Sequence, residues 1–111
     1  VNNNDVYHKT AIDIFLGNIS KYCLSEQDIL FVVDGSRPEL YDNQKNWHIF
    51  EYFMTEARNN EFNVINMYEY FKKDYQLKKK LFEFDNDKHW NQYGHETVFN
   101  AIKKSEYFNI K

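Results

Sequence analysis

The run Ile29-Leu30-Phe31-Val32-Val33 constrains this chain most. It is continuously apolar, rich in β-branched residues and shows no polar alternation. A strand of that kind is buried on both faces and suits the centre of a parallel sheet. Parallel neighbours need long crossovers, usually helices, and the flanking sequence offers them.

From about Val6 to Cys23, the residues Tyr7, Ala11, Ile14, Phe15, Ile19 and Tyr22 recur at helical spacing, which predicts an amphipathic helix with that face inward. The opening Val1-Asn2-Asn3-Asn4-Asp5 is polar and reads as loose. After the strand, Asp34-Gly35-Ser36-Arg37-Pro38 is turn chemistry, and the residues through Asn46 read as a loop. Trp47 to Asn59 reads as a second helix with Phe50, Phe53, Met54 and Ala57 on one face. Phe62 to Asn66 reads as a strand, and Tyr68 to about Lys80 as a third helix carrying Tyr68, Phe71 and Tyr75. Leu81 to Phe84 is strand or loop, and Asp85 to Trp90 a polar loop. Asn91 can cap a last helix with His95, Val98, Phe99 and Ile102 on one face. The alternation implies an α/β fold with a short parallel sheet and helical crossovers. Two or three strands make a thin sheet for a doubly wound domain. The chain also begins at Val1 rather than Met, so we expect either a single α/β domain over 1–111 or the C-terminal part of a larger one.

Composition narrows the function classes. A length of 111 residues suffices for one small core, and no apolar run approaches a membrane span. The single cysteine, Cys23, excludes an internal disulfide framework and a Cys-rich zinc site. A net charge of −3 argues against a nucleic-acid partner, which needs a basic face. The basic run Lys78-Lys79-Lys80 reads as the solvated end of a helix, where lysines complement the dipole. The abundant aromatics fall at helical spacing and read as core.

The chemistry concentrates in Asp85-Asn86-Asp87-Lys88-His89-Trp90-Asn91-Gln92-Tyr93-Gly94-His95. A histidine acting as general base needs a partner that fixes its tautomer and stabilises the imidazolium. Asp87 and Asp85 are both close enough along the chain, with Asp87 the better placed. Asn91 can satisfy the first amides of the following helix and Gly94 permits its close approach, so the helix start anchors the loop. Trp90 reads as packing beside the loop. His95 reads as a core hydrogen-bonding residue or an orienter of the loop, and His8 and His48, which show no partner pattern in the sequence, read as surface residues. Arg37, at the carboxyl end of a strand where open sheets bind ligands, is a candidate for an acyl or polyanionic group, with a loop salt bridge as the equal alternative. Ser36 reads as a plain turn residue rather than a nucleophile, with Asp34 and Ser36 bonding nearby backbone amides, and Arg37-Pro38 does not look like a helix start that holds oxyanion donors.

Asp87-x-His89-Trp90-Asn91-x-x-Gly94-His95 followed by an apolar helix resembles the last conserved block of the SGNH (GDSL-like) hydrolase superfamily. Asp34-x-x-Arg37 with Tyr41 resembles that family's late central strand and loop, and Asn63-Val64-Ile65-Asn66 the strand before its final block. The likeness spans about residues 5 to 104 and is specific only around 85–95. It implies a partial flavodoxin-like three-layer αβα fold and a Ser-His-Asp triad for ester hydrolysis or O-acyl transfer. In that triad His89 is the base and Asp87 its partner, and no metal or organic cofactor is required. The implied partner is a small-molecule or glycan ester. Asn4, as the tail of a Gly-x-Asn-Asp block, would donate to the oxyanion. The departures are plain: the family often places its Asp where Asn86 stands, no glycine precedes Asn4 by two residues, and no Gly-Asp-Ser nucleophile block is present. The serine is therefore expected outside this segment, and the segment alone is expected to be inactive. Two alternatives stand beside this one. The first is a non-catalytic SGNH-like module that binds a partner or glycan. The second is a zinc or manganese site built from Asp85, Asp87, His89 and His95.

Overall fold

The computed structural model describes residues 3–23, 25–44 and 47–108, with the side chains of Asn3 and Asn4 outside that description. Helix α1 spans Asn3–Tyr22 and a single 3-10 turn covers Glu26–Asp28. Strand β1 is Leu30–Val33, followed by a short helix α2, Arg37–Tyr41, and α3, His48–Asn59. Strand β2 is Asn63–Asn66, and α4, Met67–Lys78, starts immediately after it. Strands β3, Glu83–Phe84, and β4, Asp87–Trp90, precede α5, Gln92–Ser105. No helix among the described residues is long and apolar enough to cross a membrane.

The chain is mixed α/β, mostly helical, with a short parallel pair at its centre. Strands β1 and β2 run parallel in the register Leu30↔Asn63 to Val33↔Asn66. Alternation along each strand sends successive side chains to opposite faces, and two apolar cores follow. Phe31, Val33 and Val64 join Leu16, Met54, Ala57 and Phe62 from the α1–α3 side. Leu30, Val32 and Ile65 join Leu40, Tyr68, Phe71, Phe82, Val98 and Ala101 from the α2, α4 and α5 side. Helices thus cover both faces of the pair, as a continuously apolar β1 requires.

Four expectations need correction. The opening is not loose from Asn3 onward, since α1 begins there; Val1 and Asn2 lie outside the described residues. Helix α1 buries Leu16 with Ile12, Ile19 and Cys23 packed around it, whereas Tyr7, Ile14, Phe15 and Tyr22 stay exposed. The helix is apolar on more than one side, so periodicity alone could not choose the face. Residues 37–41, read as loop, form α2, with Pro38 in its first turn where a missing N–H costs nothing. The polar segment 85–90, read as loop, supplies the turn and second strand of a hairpin.

Candidate active site

Strands β3 and β4 form a separate antiparallel sheet paired Glu83↔Trp90 and Phe84↔Asp87, closed by a turn at Asp85 and Asn86. The pairing shifts register between those two pairs, and Asp87 and His89 stand two positions apart on β4 at that irregularity. The two side chains are in direct contact: Asp87 Oδ1 lies 2.5 Å from His89 Nδ1. The same oxygen accepts from the His89 backbone N–H at 2.9 Å. These two hydrogen bonds, the backbone one foremost, hold the Asp87 carboxyl below its usual range. A charged Asp87 fixes the neutral imidazole as the Nδ1–H tautomer and leaves Nε2 as the free acceptor. The His89 side chain is 88% exposed and Asp87 is 53% exposed, so that acceptor faces outward. Asp85 sits in the turn, and Asp87 is the residue that meets His89.

Behind the hairpin lies a network on the opposite side of the backbone. Trp90 Nε1–H donates to Asp34 Oδ2 at 3.2 Å, just past the end of β1. The Arg37 side chain, only 11% exposed, lies 3.6 Å from Asp34 Oδ2 through Nη2 and 3.5 Å from Glu83 Oε2 through Nε. Its Nη2 also donates to the backbone carbonyl of Lys88. The Tyr41 hydroxyl donates to Glu83 Oε2 at 2.6 Å and accepts from the Phe82 N–H at 3.3 Å. Burial pushes the Asp34 carboxyl above its usual range despite Arg37 and Trp90. Burial, then the bond to Glu83, pushes the Tyr41 phenol up. Of the two readings of Arg37, the structure displays the ion-paired one, although a cleft of about 360 Å³ opens beside it between Gly35 and Tyr41 on one side and Glu83 and Lys88 on the other.

The start of α5 anchors the hairpin as the sequence suggested. Asn91 Oδ1 accepts from the Gly94 N–H at 2.8 Å, a side-chain cap. Its amide donates to the Leu81 and Glu83 carbonyls at 3.1 Å each. Gly94 is pressed against the chain entering β3: a Cβ there would lie 2.4 Å from the Phe82 carbonyl oxygen and 2.9 Å from Trp90 Cβ. Phe82 is sandwiched by Phe71 at 4.4 Å and stacked Tyr93 at 5.1 Å between ring centres.

Other readings change. His95 is exposed rather than buried with Val98, and its ring meets Trp90 edge-on at 5.4 Å, so it touches the loop without entering the core. His48 and His8 are exposed as expected but have partners, since His48 Nε2 lies 3.1 Å from Asp5 Oδ2 and His8 packs edge-on against Trp47. Ser36 occupies the N-cap position of α2, so Arg37 does open a helix after all. Asn4 stands in the first turn of α1, and its side chain lies outside the described residues. Asp85, Asp87, His89 and His95 do not converge: among the described residues no group of three or more His, Cys, Asp or Glu side chains is gathered to hold a metal. Sequence reasoning missed Glu83. Its one local signal is a carboxylate inside Leu81-Phe82-Glu83-Phe84, an otherwise apolar stretch.

Comparison with protein-family models, with curated proteins and with solved structures gives no match.

Proposed function

We propose that this chain carries the acid–base arm of an SGNH-type serine ester hydrolase or O-acyltransferase, built on a partial flavodoxin-like three-layer fold. The observation that supports it most is the 2.5 Å contact between Asp87 Oδ1 and His89 Nδ1, with Nε2 left open to solvent. In this reading a serine outside the segment attacks the ester carbonyl. His89 Nε2 takes the hydroxyl proton and returns it to the leaving alcohol, and Asp87 orients and stabilises the imidazolium. The oxyanion donors come from outside the segment, with Asn4 a candidate. The cleft beside Arg37 and Lys88 has room for a small acyl or sugar group.

The test is p-nitrophenyl acetate hydrolysis by the full-length protein, wild type against His89→Ala, with a fluorophosphonate probe to mark the nucleophile. We expect activity to vanish with His89 while the probe labels a serine outside residues 1–111. Wild-type turnover in His89→Ala sinks the assignment. An unlabelled, inactive but folded protein points instead to a non-catalytic module for a partner or glycan, with Asp87 and His89 as a remnant pair.

A further inference from the structure

The Lys88–His89 peptide group is held from both ends. Its N–H donates to Asp87 Oδ1 at 2.9 Å, and its carbonyl accepts from Arg37 Nη2. A trans peptide is rigid and planar, with its C=O and N–H pointing in opposite directions. Fixing the oxygen therefore fixes the N–H, and the N–H fixes the carboxylate that meets the imidazole. Polarisation runs the same way, because a peptide whose oxygen accepts from a cation is a stronger N–H donor.

Arg37 is itself enclosed, with its side chain only 11% exposed. Asp34 and Glu83 flank its guanidinium at 3.6 Å and 3.5 Å. Each contacting carboxylate oxygen is in turn held by a neutral donor: Trp90 Nε1–H on Asp34 Oδ2 and the Tyr41 hydroxyl on Glu83 Oε2. The guanidinium thus donates to the backbone of β4 through Nη2 while its charge pairs with carboxylates at the end of β1 and on β3, a combination of planar donor and delocalised charge that a lysine cannot reproduce.

We infer that Arg37 is a positioning residue for the Asp87–His89 pair, acting through the Lys88–His89 peptide rather than by binding substrate. Its importance to catalysis rests on the ester-hydrolase reading above. The structural role does not, and the test reads it without turnover.

The test is imidazole ¹⁵N NMR of the full chain with His89 assigned, at a pH where the ring is neutral, together with hydrogen exchange at the His89 amide. Wild type is expected to show a single Nδ1–H tautomer and a protected amide. In Arg37→Met both are lost: His89 shifts toward the Nε2–H form that free histidine prefers, and its amide exchanges quickly. Because that variant leaves the Asp34 and Glu83 carboxylates without their cation, Arg37→Lys is measured beside it. It keeps the charge but replaces the planar fork with one ammonium, so partial loss of both signals is expected. Wild-type tautomer and protection in a folded Arg37→Met, or in Arg37→Lys if the first does not fold, overturns the inference. A wild-type His89 without the Nδ1–H tautomer overturns it as well, and by removing the dyad takes the ester-hydrolase reading with it. With the dyad seen in wild type but the full-length protein inactive, the positioning role stands and only the proposed reaction falls.

Discussion

Trp90 and Asp34 stand 56 positions apart in the chain, yet the indole N–H of one donates to the carboxylate of the other at 3.2 Å. That bond joins the residue after His89 to the end of the parallel pair. It makes the hairpin a part of the fold rather than an appendage, and mutations on either side of it have separable consequences.

Asp87→Asn keeps the side-chain shape but removes the charge that selects the Nδ1–H tautomer. In the proposed reaction kcat is expected to fall by roughly 10³–10⁴-fold, the scale seen when a triad carboxylate is neutralised. The melting temperature should barely move, since Asp87 is half exposed. Ester-hydrolysis kinetics beside a thermal melt separate the two; a fall of less than tenfold assigns the role to another carboxylate.

Gly94→Ala tests the close approach of α5. The added Cβ would sit 2.4 Å from a backbone oxygen, which cannot swing away as a side chain could. Overpacking of this kind costs about 1–3 kcal/mol, and the rigid neighbour puts the expected loss at the upper end. Urea unfolding reads it directly, and an unchanged midpoint means that α5 stands farther from Phe82 than described.

Asn91→Ala removes a helix cap and two hydrogen bonds to the Leu81 and Glu83 carbonyls. A cap is worth about 1 kcal/mol, and each neutral hydrogen bond contributes a similar amount. The expected loss is therefore about 2–3 kcal/mol, measured by the same unfolding experiment. Asn91→Asp retains the cap but not the amide donors and should fall between alanine and wild type.

The two carboxyls beside the hairpin titrate in opposite directions. Asp87 is lowered from 3.8 by hydrogen bonds from the His89 amide and ring. Its contribution to stability is complete above 3.8 and disappears as pH falls through the lower folded value. Asp34 is raised from 3.8, mainly by burial, so its contribution is complete below 3.8 and is lost as pH rises through the higher folded value. Carboxyl ¹³C titration should place the Asp87 midpoint below 3.8 and that of Asp34 above it. Reversal of that order would contradict the hydrogen bonds from the His89 amide and ring to Asp87 and the burial of Asp34.

What was legible in the sequence is what local pattern controls. The apolar run at β1, the second strand, the Asn91 cap and the tight packing at Gly94 each follow from a few adjacent residues. So does the Asp87–His89 contact, because a carboxylate two residues before an imidazole can reach its ring nitrogen. The hairpin itself was not legible. Asp-Asn-Asp-Lys-His has poor strand preference, and what fixes it is Arg37, Asp34 and Tyr41 reaching in from far along the chain. Helix α2 was hidden by the turn signals of Asp34, Gly35 and Pro38. The inward face of α1 was ambiguous because Ile12, Leu16, Ile19 and Cys23 repeat as regularly as the tyrosine-bearing face beside them.

That second face of α1 has a bearing on how the protein behaves in the tube. Tyr7, Ile14, Phe15 and Tyr22 give the helix a greasy exterior, and the protein carries a net charge of only −3 to keep neighbouring molecules apart. Near the isoelectric point of about 5.8 that repulsion vanishes. Solubility should pass through its minimum there, and moderately alkaline, low-salt buffers should keep concentrated samples clear.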